Sequence, residues 1–213
     1  MTNDTCHNFP NYGYLLTDLT DKQLAPINAE IDNLKKDFLN GYPMNVHLAG
    51  NLRKEFALKN VHDYIEALLY PYLFQYNQQF NFTKQLKSII PIPGQELRLH
   101  QTWVNFQEKH EFNPMHDHTG IFSFVIWIQV PFTRDAELSF KPEIPHNQNH
   151  AGMFQLVYNN SLGQPSTLNF PVDKNWENKL LIFPAGMAHM VTPFYTSDDY
   201  RISVSGNFAY IQS

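Results

Sequence analysis

The stretch Asn113–Pro131, NPMHDHTGIFSFVIWIQVP, decides how the chain is read. Its second half is a strongly apolar run of aromatic and β-branched residues closed by Pro131, the pattern of a strand. Its first half puts His116 and His118 two apart just before that strand. In extended chain, residues two apart point to the same side, so both imidazoles can approach one ion while Asp117 points away. Imidazole suits iron, zinc, copper or nickel, and two such ligands on one element need a third from elsewhere. The spacing alone equally describes a pair of solvated turn histidines.

On either side of this stretch the period stays at two. Further runs of strand formers occupy Leu97–Gln107, Ala136–Phe140, Met153–Tyr158, Leu180–Phe183 and Tyr200–Ile211. Turn clusters PIPG, FNP, DHTG, NNSLGQP and FPAG separate them. Many short strands without an intervening helical pattern imply a barrel or a two-sheet jelly roll. The first third differs. From Thr20, TDKQLAPINAEIDNLKKDF spaces Leu24, Ile27, Ile31, Leu34 and Phe38 by threes and fours, one stripe of an amphipathic helix capped by Thr20 or Asp21. A second helix is expected over Val61–Phe80, kinked or divided at Pro71. The expected fold is mainly β with N-terminal helices packed outside a jelly-roll, cupin-like core. No linker composition marks a boundary, so one domain is expected over 1–213, helical over residues 1–90 and with its sheet core over residues 91–213.

A second polar element lies near the C-terminus. Phe183-Pro184-Ala185-Gly186 closes a strand, and His189 follows on the turn or the next strand. Twelve residues on come Arg201, Ser203, Ser205 and Asn207 in one register, with Ile202, Val204, Gly206 and Phe208 in the other. The polar register is either an outward face or a seat for a carboxylate, whose geometry a guanidinium fork matches. Gln101, Trp103 and Asn105 alternate in the strand before the histidine pair and are candidates for its pocket, although a Trp is more often core. The loop Lys141–Gly152 carries His146 and His150, and Pro and Asn deny it a helix, so it reads as solvated or lid-like.

Composition narrows the classes. Aromatic residues at 15% and apolar residues at 43% supply a packed core. Twenty acidic residues against fifteen basic give a net charge of −5, the wrong sign for holding nucleic acid by charge. The single Cys6 excludes an internal disulfide and a Cys-rich zinc site. No apolar run approaches the ~20 residues that span a bilayer, and the first residues lack a signal-peptide pattern, so a cytoplasmic location is expected. The apolar helices could serve an oligomer interface.

Taken together, His-x-His before a strand, a distal His, and Arg-x-Ser twelve residues beyond resemble the non-haem iron, 2-oxoglutarate-dependent oxygenases of the double-stranded β-helix fold. The wider pattern LRLHQTWVNFQEKHEFNPMHDHTGIFSFVIWIQVP, LLIFPAGMAHMVTPFYTSDDYRISVSGN and NVHLAGNLRKEF is similar to members common in marine phages and bacteria. The resemblance implies Fe(2+) held by His116, His118 and His189, and 2-oxoglutarate held through its far carboxylate by Arg201 with Ser203. In that superfamily a carboxylate commonly stands where His118 stands, which leaves Asp117 as the alternative third ligand. The implied activity is a dioxygenase using 2-oxoglutarate and O2, hydroxylating an unidentified substrate with release of succinate and CO2. The other readings are a cupin-like metal enzyme without 2-oxoglutarate, for which three histidines are familiar, and a non-catalytic jelly-roll binding module.

Overall fold

The computed structural model describes residues 11–45, 48–89, 96–140 and 150–211. Cys6 and His146 lie outside the described residues. The chain opens with strand β1 (Leu15–Asp18) and helix α1 (Asp21–Lys36), then β2 (Glu55–Ala57), α2 (His62–Phe80) and α3 (Phe82–Ile89). Strands β3 (Glu96–Gln107), β4 (Asn113–His116) and β5 (Phe122–Gln129) follow, then α4 (Arg134–Ser139). The chain closes with β6 (Met153–Asn159), β7 (Pro165–Pro171), β8 (Lys179–Pro184), β9 (His189–Val191) and β10 (Arg201–Ile211).

The strands pair antiparallel into two sheets, one in the order β1-β8-β5-β10-β3-β2 and the other β4-β9-β6-β7. From β3 onward the chain passes back and forth between them, β3, β5, β8 and β10 in the larger and β4, β6, β7 and β9 in the smaller. This is a jelly-roll, double-stranded β-helix. Its large sheet is edged by β1 and β2, two short strands of the helical third that its sequence pattern does not announce.

The period of two puts two cores on opposite faces of the large sheet. Val104, Phe106, Phe122, Phe124, Ile126, Ile182, Ile202, Val204 and Phe208 face outward and pack with Leu24, Ile27 and Ile31 of α1 and Ile65, Leu69, Leu73 and Tyr76 of α2. Val125, Trp127, Leu181 and Phe183 face inward and pack with Phe154, Leu156 and Phe170 of the small sheet. Burying each large apolar side chain contributes about 1.5–3 kcal/mol, so the helices hold to the sheet by the stripe their spacing predicts. Thr20 caps α1 in a capping box with Gln23, an arrangement of ~1 kcal/mol.

Several local expectations change. The helix read through Phe38 ends at Lys36, and a 3-10 turn occupies Phe38–Asn40. Helix α2 runs through Pro71 without division, because its buried face of Ile65, Leu69, Leu73 and Tyr76 outweighs one lost backbone bond. The run Ala136–Phe140, expected as a strand, is α4 and its C-cap: the Thr133 side chain accepts from Ala136 N, with Asp135 and Glu137 in the first turn. The segment Pro165–Pro171, begun in a turn cluster, is strand β7 paired along its length with β6. Phe112–Pro114, read as a turn, runs into β4.

Candidate active site

Strand β4 lies beside β9 with His116 directly opposite His189. Strand β4 stops there. His118 is in the following loop, where its backbone N–H donates to Ala185 O at 3.0 Å. Strand alternation therefore does not align His116 with His118; a loop tied to the far end of β8 does. The three rings meet with centroids 4.9, 4.3 and 5.0 Å apart. One nitrogen from each lies within 4.8 Å of the others. Asp117 is exposed and stands outside this group.

Two rings are held in one tautomer. His116 Nδ1 donates to Pro114 O at 2.7 Å and His189 Nδ1 donates to Met187 O at 3.1 Å. A carbonyl only accepts, so both protons sit on Nδ1 and both Nε2 lone pairs are free. His118 packs edge-on against Trp103 at 5.6 Å. Phe154 and Phe183 flank His189 at 5.7 and 5.1 Å. Burial, reinforced by the neighbouring His116, pushes His118 down to about 4 and His189 down to about 3. Both are neutral at pH 7. Converging neutral imidazoles with lone pairs inward form a donor set for a divalent transition metal.

Arg201 begins β10 at 3% exposure. Gln107, its register partner on β3, accepts from Nε at 3.0 Å and from Nη2 at 2.6 Å. Nη2 also donates to Thr192 O at 2.8 Å. Phe132 and Phe194 lie 5.8 and 5.6 Å from the guanidinium carbon. Nη1 is buried with no hydrogen-bond partner. Burial pushes the group down to about 9, opposed by the nearby Glu137 carboxylate, so it is cationic at neutral pH. A buried cation with one free edge calls for an anion.

One cavity joins these parts. His116, His118, His189, Arg201, Ser203, Trp103, Asn105 and Gln107 line it, with Trp127, Val125, Phe154, Leu52 and Asn113. Its open space is about 40 Å³, a slot rather than a chamber. The polar register of β10 is therefore the inner one. Ser203 Oγ accepts from Asn105 Nδ2 at 3.2 Å. Gln101 stands farther along β3, opposite Asn207, and does not line the slot. His150 of the loop contacts Gln155 Nε2 through Nδ1 at 3.5 Å and is outside the three-ring group. Gln107 continues the alternation of Gln101, Trp103 and Asn105, a signal the sequence carries. Leu52 and Asn113 carry none, because they reach the slot from a loop and from a sheet edge.

A larger surface cavity of about 780 Å³, lined by Lys35, Phe132, Lys174 and Tyr200, contains none of the imidazoles. Size alone would choose it, but no group of converging metal-binding side chains is found there among the described residues.

The model of the family described as "Putative 2OG-Fe(II) oxygenase" matches residues 101–207, half of the chain. No curated protein matches the sequence. Among solved structures, a prolyl-4-hydroxylase of Pseudomonas putida is 15% identical with a TM-score of 0.53, covering 94% of each chain. SnoN, a non-heme alpha ketoglutarate dependent epimerase from nogalamycin biosynthesis, is 14% identical with a TM-score of 0.56 over 93% of this chain and 78% of that one. The viral collagen prolyl hydroxylase of Paramecium Bursaria Chlorella virus-1, in a 2OG complex, is 11% identical with a TM-score of 0.50 over 93% of this chain and 97% of that one. At such identities the likeness to each structure is one of fold.

Proposed function

The chain belongs to the 2OG-Fe(II) oxygenase family, and on that basis we propose that His116, His118 and His189 hold the iron, that Arg201 with Ser203 receives the far carboxylate of 2-oxoglutarate, and that the reaction is a hydroxylation. Its cofactors are Fe(II) and 2-oxoglutarate, with O2 as cosubstrate. Together they supply the activation of O2, coupled to oxidative decarboxylation of the oxo acid to succinate and CO2, and the oxidant for a substrate C–H bond.

The protein's own residues do the arranging. Three neutral imidazoles leave the metal its full double positive charge, which a dianionic cosubstrate balances. Hydrogen bonds from both Nδ1 atoms to backbone keep two imidazoles oriented before any ligand arrives. Gln107 and the Thr192 carbonyl hold two edges of Arg201 and leave Nη1 for the carboxylate. Trp103, Val125, Trp127 and Phe154 wall the slot with apolar surface and exclude water.

One observation carries the cosubstrate assignment: Arg201 Nη1, fully buried and unpartnered, lines the same slot as three converging imidazoles. That pairing disfavours a cupin-like enzyme without 2-oxoglutarate and a non-catalytic module, which need no buried carboxylate seat. The hydroxylase type draws on the hydroxylases among the structures of like fold, and the epimerase among them names the competing outcome. Residues 1–213 are read as one catalytic unit because β1 and β2 complete the large sheet. The test is protein purified without oxygen, loaded with Fe(II) and 2-oxoglutarate and then exposed to O2. Succinate formation dependent on both is expected, and the absence of both succinate and stoichiometric iron binding would overturn the reading.

A further inference from the structure

Glu55 Oε1, Asn105 Oδ1 and Asn113 Oδ1 are buried side-chain oxygens without a hydrogen-bond partner among the described residues. They are neighbours. Glu55 on β2 is the register partner of Asn105 on β3, so the two side chains share one face of the sheet. Asn105 commits its amide nitrogen to Ser203 and Ser205 at 3.2 and 3.4 Å, which leaves its oxygen as the unpartnered end of the amide. Glu55 Oε1 and Asn113 Oδ1 meet at Gly50, where an added Cβ would lie 3.2 and 2.5 Å from them. Only glycine lets both oxygens approach that backbone. Asn105 and Asn113 line the slot that holds the imidazoles.

We propose that Glu55, Asn105 and Asn113 form the seat for a primary ammonium group on an aliphatic substrate, an inference that rests on the iron and 2-oxoglutarate site assigned above.

The chemistry of the three groups selects the ligand. All three offer acceptors and one is a carboxylate, so the missing partner is a donor with positive charge. A primary ammonium has three N–H donors, one for each oxygen. A hydroxyl has one. A hard metal ion such as calcium takes six to eight oxygens, more than this wall provides. Among the described residues no cation meets this charge. Glu55 is 1% exposed, and its other oxygen has only a long contact to Asn45 Nδ2 at 3.4 Å. Lys54 is engaged with Glu108 and Tyr200, and Arg53 with Glu108 and Glu111. Burial, with the repulsion of Glu111, pushes Glu55 up to about 7, as expected of a buried carboxyl without a counter-ion. Leu52 and Val191 add apolar lining beside the two asparagines, which suits a methylene chain.

The experiment uses the full chain loaded with Fe(II) and 2-oxoglutarate without oxygen, reading the visible absorption of the iron–2-oxoglutarate complex as compounds are added. n-Butylamine and Nα-acetyl-L-lysine N-methylamide, both cationic at neutral pH, are the probes; 1-butanol and butyrate are the controls. The expected result is a perturbed absorption and faster succinate formation on adding O2 with an ammonium probe, and neither effect with the controls. A response to the lysine derivative alone assigns the seat to a lysyl side chain; a response to both assigns it to free amines as well. Glu55→Gln and Asn113→Leu should each weaken the ammonium response at least tenfold, the absorption band itself reporting that a variant is folded and loaded. If either variant fails to fold, the wild-type preference for ammonium over alcohol still decides. Equal responses to butanol and n-butylamine overturn the proposal. So does a second bound equivalent of Mn(II) that disappears in Glu55→Gln, which makes the seat a metal site. If the ammonium probes do nothing while 2-oxoglutarate binds and is consumed, the seat is refuted and the oxygenase site stands; if the absorption band never forms, both fall together.

Discussion

Among single residues, Arg201 and Gln107 form the most consequential pair. A neutral amide clamps the guanidinium through Nε and Nη2 without cancelling its charge, so the slot keeps a positive end for a carboxylate. Arg201→Ala removes that end. Loss of a buried charge partner costs about 2 kcal/mol or more, so the KM for 2-oxoglutarate should rise roughly 30-fold or more with iron binding retained. Gln107→Glu is the sharper test, because its carboxylate would pair with Arg201 and displace the ligand. It should weaken 2-oxoglutarate more than Gln107→Ala, whose lost hydrogen bonds to a charged group account for about 1.5 kcal/mol, or roughly tenfold. Cosubstrate titration of the three variants checks the order, and equal affinity in Gln107→Glu and wild type would deny the clamp its role. A second question for individual side chains is the third ligand. His118→Ala should lower iron affinity by more than the ~10–100-fold typical of losing an outer partner. Asp117→Ala, at an exposed side chain apart from the three rings, should leave iron binding unchanged; the opposite pair of results would transfer the ligand to Asp117.

Among the strands and helices, β10 organises both the core and the site. Its alternation is legible from sequence, with Arg201, Ser203, Ser205 and Asn207 in one register and Ile202, Val204 and Phe208 in the other. The pattern leaves open which register faces inward. The helices resolve it, since α1 and α2 cover the apolar register and leave the polar one facing the small sheet. Gly206 belongs to the apolar register for a reason of space. A Cβ there would lie 2.5 Å from the Gln101 carbonyl oxygen and 2.6 Å from the Phe124 ring. Gly206→Ala should therefore destabilise the fold by about 1–3 kcal/mol through overpacking, measured as a lower urea midpoint with unchanged slope. An unaltered midpoint would mean that β3 and β5 yield without cost. The misread elements have local explanations. Helix α4 hides in a run of strand formers because its Thr133 cap and acidic first turn outweigh the pattern of only five residues. Strands β1 and β2 escape notice because three or four residues are too few to show a period.

Across the entire fold, folding stores neutral histidines between two sheets. His189 at about 3 and His118 at about 4 bind fewer protons in the folded chain than in the unfolded one, where a histidine titrates near 6.5. Stability therefore rises with pH across that window and is lost as pH falls from about 6.5 toward 4. Each imidazole contributes at most about 1.4 kcal/mol per pH unit, and the less buried His118 less than that. Urea unfolding of metal-free protein at several pH values should show this slope, and His189→Asn should flatten it; an equal slope in that variant would mean that other groups carry the acid sensitivity. The order of residues was enough to specify the side-chain chemistry and the short-range periods: the capped amphipathic helix, the apolar strand after the histidine pair, the alternation of β10, and the types of side chain available to a metal and a carboxylate. Those follow from a 3.6-residue turn and a two-residue pleat, which neighbouring residues alone establish. Packing in three dimensions was needed to bring His118 to the group from a loop, to set Gln107 and Thr192 around Arg201, and to make Glu55 and Asn113 meet across Gly50. These are contacts between segments far apart along the chain, brought together by strand pairing and sheet packing, and no local period encodes which distant partner a side chain will face.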